Sequence, residues 1–333
     1  MLAWRVHENG EPRDVMRLEE VAEPAPGAGE LLLGVRAANV NFPDALLCRG
    51  QYQVRPPLPF TPGVELCAEI LALGDGAEGE IGARVLAQPA LPAGAFAERA
   101  VVGAHTVLPA PEALDDAEAA ALHIGYQTGW FGLHRRARLA AGETLLVHAA
   151  AGGVGSAAVQ LGKAAGATVI GVVGGPRKAA AARELGCDLV VDRRAEDVVT
   201  VVKEATGGRG ADVVYDPVGG DAFTQSTKCV AFEGRILVVG FASGAIPKAA
   251  LNHALIKNYS IVGLHWGLYN AKDPDAVRAC HDELTKLAAD GKVKPLIGDR
   301  VPLAGAADAV QRVADGTTTG RVVVEPGAPE ERR

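Results

Sequence analysis

The sequence predicts an α/β protein in two parts, a β-rich unit with a doubly wound parallel sheet inserted into it. Three observations carry that expectation. The first 110 residues hold short apolar runs separated by turn residues, as in Pro24-Ala-Pro-Gly, Arg55-Pro-Pro-Leu-Pro and Pro62-Gly63. From Thr144 onward strand-like and helix-like segments alternate. The length, 333 residues, is that of about two domains.

In the first part, Leu31–Val40, Glu65–Gly74, Ala83–Gln88 and Phe96–Val102 read as strands, and 41–50 as a short helix or loop. Asp115 and Asp116 supply an N-cap and an acidic first turn for an alanine-rich helix ending near Leu139. Beyond it, strands are expected at Thr144–Ala149, Thr168–Val173, Leu189–Val191, Ala211–Tyr215, Arg235–Gly240 and Tyr259–Leu264. Helices are expected at Gly153–Ala165, Pro176–Leu185, Ala195–Ala205, Ala222–Val230 and Leu251–Lys257. After a polar helix from Asp273 to Asp290, Val301-Pro-Leu, another helix and a final strand Arg321–Glu325 are too few for a third domain. They are expected to return to the β-rich unit, giving domains of 1–123 with 267–333, and 124–266.

Composition removes several classes of function. A net charge of −7 and few aromatics (5%) argue against nucleic acid or an anionic membrane as partner. Cys48, Cys67, Cys187, Cys229 and Cys280 are too dispersed for a redox pair, a zinc knuckle or a disulfide scaffold, which suits a reducing cytoplasmic compartment. The charged start, Met1–Asp14, has no apolar signal core. Thr144–Gly162 lacks charge, but its His, Gln and four Gly residues read as a buried strand, a turn and a packed helix.

The turn is Ala150-Ala151-Gly152-Gly153-Val154-Gly155, between an apolar strand and a helix. Gly152 lets the backbone approach a pyrophosphate, Gly155 lets helix and strand pack closely, and the helix N-terminus faces the anion. An NAD site wants a carboxylate about 20 positions on. Here the second strand runs into Gly174-Gly175-Pro176-Arg177-Lys178, with Arg193 beyond the third strand. Small residues and cations leave room and charge for a 2′-phosphate, so NADPH is expected over NADH. The turns after the fourth and fifth strands, with Val218, Gly240 and Phe241, should flank the nicotinamide half, since ligands bind at the carboxyl ends of strands. Asp216 there either serves the ligand or caps the next helix.

Other chemistries are missing. No H-E-x-x-H, G-x-S-x-G or Walker lysine motif occurs, and no tyrosine is followed by lysine four positions later.

Asn39-Val-Asn41-Phe-Pro-Asp44, Arg49-Gly50-Gln-Tyr52, Thr61-Pro-Gly63-Val64-Glu65 and the glycine turn together resemble the medium-chain dehydrogenase/reductase superfamily, most closely its zinc-independent quinone oxidoreductase branch. The resemblance covers nearly the whole chain and implies a GroES-like catalytic domain with an inserted Rossmann domain. Zinc-containing relatives have Cys-x-x-Asp at 41–44 and Gly-His-Glu at 63–65. Asn41 and Val64 cannot replace that thiolate and imidazole, so no metal is expected.

By the same resemblance Asn41 and Tyr52 lie beside the nicotinamide, Thr128 contacts the cofactor, and Lys178 and Arg193 match positions that grip the 2′-phosphate. Leu264 and Trp266 fall in the segment that lines cofactor and substrate, where Trp266 and Tyr269 either wall the pocket or pack in the core. Without a Lewis acid the acceptor must take hydride readily, which suits a quinone or an alkene conjugated to a carbonyl. Tyr52 would donate to the acceptor oxygen and Asn41 would orient the reacting groups. An NADPH-dependent quinone or enone reductase is therefore expected. An enoyl-thioester reductase and a non-catalytic NADPH-binding sensor or structural protein are the alternatives. Relatives pair their last Rossmann strand across a two-fold axis, so a homodimer through Tyr259–Leu264 is expected.

Overall fold

The computed structural model describes residues 1–327 and divides the chain into two compact units, Met1–Ile124 with Pro295–Arg333, and Gly125–Lys294. The segment 267–294, placed with the β-rich part from sequence, clusters with the second unit.

In the first unit the strands are β1 (Leu2–Val6), β2 (Met16–Glu20), β3 (Glu30–Asn39), β4 (Leu66–Leu73), β5 (Arg84–Ala87), β6 (Arg99–Gly103) and β7 (Leu108–Pro109). The second unit supplies β8 (Thr144–His148), β9 (Thr168–Val173), β10 (Leu189–Asp192), β11 (Ala211–Asp216), β12 (Val230–Val238) and β13 (Ser260–Gly263). Strands β14 (Ile297–Pro302) and β15 (Arg321–Glu325) return to the first unit.

β1 and β2 form an antiparallel pair, and the main sheet runs β14-β15-β3-β4-β5-β7, with β6 also on β3. The return of the chain is recorded in the pairing of β15 with β3, Val323 against Asn39 and Val324 against Ala38. Leu31, Leu33, Val35, Leu66, Ile70, Phe96 and Val324 point into one apolar core beneath this sheet. Residues 41–50, open from sequence between helix and loop, contain the helix Phe42–Cys48. Proline at its second position suits a first turn, where the missing N–H has no acceptor to lose.

In the second unit six parallel strands lie in the order β10-β9-β8-β11-β12-β13. The order reverses at β8, so the chain winds outward in both directions from the strand that precedes the glycine turn. β8 is buried along its whole length, as a central strand covered on both faces must be. The alanine-rich helix is Asp116–Trp130 and then widens into a π-helical turn, Phe131–Arg136. No helix among the described residues is long and apolar enough to cross a membrane.

Candidate active site

The residues singled out from the sequence fall into two groups, one in each unit. In the second unit β8 ends at His148, and Ala149 turns the chain with a positive φ of 51°. The helix Gly153–Ala164 begins directly after Gly152. A Cβ on Gly155 would be driven into the carbonyl oxygen of Ala149, so close approach of helix to strand requires glycine there. The first turn of the helix leaves the backbone N–H groups of Gly153, Val154 and Gly155 without intrahelical acceptors at the C-terminal end of the sheet, the geometry an anion cradle requires, while the Gly152 N–H is held by Ala149 O at 2.8 Å. His148 behind it is buried against Ser226 Oγ at 2.9 Å, and burial holds its imidazole below the usual histidine range, hence neutral.

At the end of β9, Gly174 and Gly175 have no side chains, and the space is bordered by guanidinium groups. From an ideal Cβ on Gly174, Arg193 Nη2 and Arg194 Nε each lie 3.4 Å away, and Arg194 Nη1 is 3.2 Å from that of Gly175. Asp192 fixes this turn by accepting from Gly175 N–H (2.9 Å) and Arg194 N–H (3.0 Å). Lys178 is half-buried beside them. Burial first, then the nearby charges of Arg193, Arg194 and Arg177, depress its ammonium below the usual lysine range. Four cations repelling one another around two glycines make a site whose electrostatics improve when an anion arrives. Arg194 was missed from sequence, and its only signal was adjacency to Arg193.

The turns after β11 and β12 are laced together by Ala242 N–H to Pro217 O and Ser243 N–H to Val218 O, both at 3.0 Å. That brings Val218, Gly240 and Phe241 to the same end of the sheet as the glycine turn. Asp216 braces the turn after β11 and does not cap the next helix, whose N-cap is Gly219 with no side-chain cap. Its carboxylate accepts from Val218 N–H (2.8 Å) and Gly219 N–H (2.9 Å), at the start of the helix Gly220–Cys229. Leu264 follows β13, tied to Val238 O at 3.1 Å. Trp266 is buried, with its indole N–H donated to Gln127 Oε1 at 3.2 Å, next to the buried Thr128. Tyr269 stacks on Phe131 with centroids 4.2 Å apart, under the guanidinium of Arg135. Both rings pack into this unit.

In the first unit, Asn41 precedes the helix Phe42–Cys48 and is almost wholly buried. Its backbone N–H is held by Asp44 Oδ2 at 2.7 Å, while Asp44 Oδ1 accepts from Gly63 N–H at 3.0 Å. Burial pushes the Asp44 carboxyl up to about 7. The Asn41 side chain donates to Glu65 Oε1 (2.7 Å) and accepts from Arg321 Nη1 (2.9 Å). Glu65 also accepts from Asn39 Nδ2 at 2.5 Å and from Ile124 N–H at 2.7 Å. Burial raises the Glu65 carboxyl, and the Arg321 charge is the strongest force opposing that rise. Arg321 is 5% exposed, and its Nε and Nη2 have no partner among the described residues. Sequence reasoning missed this arginine, because it lies 280 positions from Asn41.

Tyr52 follows the same helix on a turn held by Gln51 N–H to Leu46 O at 2.8 Å. Its ring packs against the core, and its hydroxyl makes no hydrogen bond within the described residues. Burial, and then the Asp44 charge, raise its pKa, so the phenol stays protonated and able to donate.

A two-unit chain with a GroES-like sheet and a parallel six-stranded sheet defines a class, and comparison with known proteins narrows it. The alcohol dehydrogenase GroES-like domain family matches residues 27–112, and the zinc-binding dehydrogenase family matches 153–283. The chain is 38% identical over 301 residues to the quinone oxidoreductase-like protein 2 homolog of Nematostella vectensis, covering 90% of this chain and 82% of that one. Among solved structures, quinone oxidoreductase of Escherichia coli complexed with NADPH superposes with a TM-score of 0.90 at 30% identity, over 98% of this chain and 100% of that one. Mycobacterial Rv1454c complexed with NADPH gives a TM-score of 0.89 at 31% identity, over 98% and 100%. This protein belongs to the quinone oxidoreductase branch of the medium-chain dehydrogenase/reductase superfamily, and it is an oxidoreductase.

One of the matching families is named for zinc, and the residues here do not fit that metal. Val64 has no donor atom, and the Asn41 carbonyl oxygen is already held by a guanidinium whose charge would repel a cation. Among the described residues no group of three or more His, Cys, Asp or Glu side chains could hold a metal ion.

Proposed function

We propose that the protein is an NADPH-dependent reductase delivering hydride to quinones or related α,β-unsaturated carbonyl compounds, with no part for a metal. The observation that carries the reading is the glycine cradle continued by the guanidinium-bordered space over Gly174 and Gly175. Gly152, Gly153, Val154 and Gly155 would hold the pyrophosphate, and Lys178, Arg193 and Arg194 the 2′-phosphate. Thr128, Val218, Gly240, Phe241, Leu264 and Trp266 would line or support the nicotinamide half. Two structural relatives complexed with NADPH support this choice of cofactor. When bound, NADPH supplies the hydride from nicotinamide C4.

The chain's own residues would do the rest. Hydride addition to a conjugated carbonyl places negative charge on oxygen, and a protonated Tyr52 hydroxyl without an internal partner is a suitable donor to it. Asn41 would orient the reacting groups, and solvent would provide the proton that completes the two-electron reduction. Hydrogen-bond donation and positioning suffice because the acceptor delocalises the arriving charge itself. An acceptor screen of quinones, enals, enones and enoyl thioesters, followed by NADPH absorbance, tests the reading. Oxidation by quinones or enones is expected. Turnover confined to thioesters would reassign the substrate, and NADPH binding without any acceptor-dependent oxidation would make the protein a sensor or structural component.

A second copy of the chain is the proposed partner. β13 ends its sheet with one edge unpaired among the described residues. Nearby, Leu251, Leu255 and Ile256 are 74%, 76% and 71% exposed, an apolar surface that pairing β13 across a two-fold axis would cover. Sedimentation should give a dimer and Leu255→Glu a monomer. A monomeric wild type at micromolar concentration would refute the pairing.

A further inference from the structure

We propose that Arg321 is a positioning residue of the reaction site, acting with Glu65 to lock the Asn41 side-chain amide in one orientation so that Asn41 meets its ligand as a hydrogen-bond acceptor only. This rests on the reading of Asn41 as a residue of the reaction site, and it adds which way round that residue is held and by what.

A side-chain amide carries an acceptor and a donor on nearly isosteric ends, so packing alone leaves two orientations close in energy. Here the chemistry of the neighbours decides between them. A guanidinium can only donate and an ionised carboxylate can only accept. Asn41 Oδ1 faces Arg321 Nη1 at 2.9 Å, and Nδ2 faces Glu65 Oε1 at 2.7 Å. Turning the amide over would set N–H against N–H and oxygen against oxygen in a site with almost no water access, where a lost charge-assisted bond is most costly. The second Nδ2 hydrogen is directed to Asn39 O at 3.4 Å. Both donor hydrogens are therefore committed, and Oδ1 is the end of the amide turned toward a donor.

Arg321 owes its place to the topology. β15 is the strand that returns to pair with β3, and Arg321 opens β15 with its backbone N–H on Leu296 O at 2.8 Å. Asn39 at the end of β3 and Asn41 just beyond are thereby brought to the residue that opens the last strand. A purely structural arginine at this depth would be expected to satisfy its donors with carbonyl or carboxylate oxygens. This one spends a single bond, on an amide of the reaction site, and its Nε and Nη2 have no partner among the described residues.

The test is a double-variant cycle on the full-length protein, using NADPH and whichever quinone or enone the screen finds best. Circular dichroism and thermal unfolding first establish that each variant is folded, and Arg321→Leu, which likewise carries no donor, replaces Arg321→Met should the latter fail. Arg321→Met is expected to lower kcat about tenfold or more while the NADPH Kd, measured by nicotinamide fluorescence, stays within about twofold. Arg321→Lys restores a single donor to Oδ1 and is expected to recover kcat to within about threefold. In an Asn41→Ala background, Arg321→Met should cost nothing more, because its effect runs through the missing amide. Multiplying losses, or a loss confined to NADPH affinity, would overturn the proposal. The latter would make Arg321 a grip on the dinucleotide. A wild type that binds NADPH but oxidises it with none of the acceptors screened would instead sink the functional reading, independently of the cycle.

Discussion

Replacing Arg193 and Arg194 together with alanine removes two guanidinium groups from the rim of Gly174 and Gly175 and leaves Lys178. A charge-assisted hydrogen bond is worth about 1.5–3 kcal/mol. Both arginines are exposed, and solvent and salt reduce such contacts, so about 1 kcal/mol each is the appropriate figure. Two of them amount to about 2 kcal/mol, or about a thirtyfold rise in the NADPH Kd. NADH lacks the 2′-phosphate, and its Kd should move by about twofold or less, because the glycine cradle is untouched. Titration calorimetry with both cofactors, at low and high salt, is the assay. The wild-type preference for NADPH should shrink as salt rises, and the variant's preference should be small at every ionic strength. Equal weakening of both cofactors would refute the reasoning, as would a wild type that binds NADH more tightly.

Tyr52→Phe should leave NADPH affinity intact and cut turnover about a hundredfold to a thousandfold, as loss of one oxyanion donor does. Full turnover in steady-state kinetics would remove the tyrosine from the mechanism. Gly155→Ala, which sets a methyl against Ala149 O, should lower both the unfolding temperature and cofactor affinity, and an unchanged melting curve would contradict the close-packing argument. The Asp44 carboxyl, raised by burial from 3.8 to about 7, titrates higher in the folded state than in the unfolded one. Its contribution to stability is therefore complete below the unfolded value and is lost as pH rises through about 7. Glu65 shifts in the same direction. Melting temperatures should fall between pH 5 and about 8 more steeply in the wild type than in Asp44→Asn, and parallel curves would show that Asp44 is not the titrating group.

What could be read in the chain was local. The glycine turn declares itself because strand, turn and helix occupy adjacent residues, and each glycine has a steric reason that neighbouring residues supply. The alternation of strands and helices after Thr144 predicted the parallel sheet for the same reason. The pair β1 and β2 escaped notice because Leu2–Val6 and Met16–Glu20 are short and carry charges on their outer faces. β12 was expected to begin at Arg235 but starts at Val230, its run broken by Glu233 with a positive φ of 57°. The widening of the alanine-rich helix into a π-helical turn at Phe131–Arg136 left no periodicity to find. The site divided in the same way. Asn41, Tyr52 and the cations near Gly174 could be named from short motifs. Which cation turns inward cannot be read from an Arg-Arg pair. Arg321 became visible only when β15 was paired with β3.

The claim that hydride reaches the acceptor through a protein donor and placement alone is tested most directly by turnover after exhaustive chelation. The purified protein would be treated with a strong zinc chelator, its metal content measured, and NADPH oxidation followed with its best quinone or enone. Unchanged kcat in metal-depleted protein is the predicted result. Activity that disappears with the metal and returns when zinc is restored would contradict it.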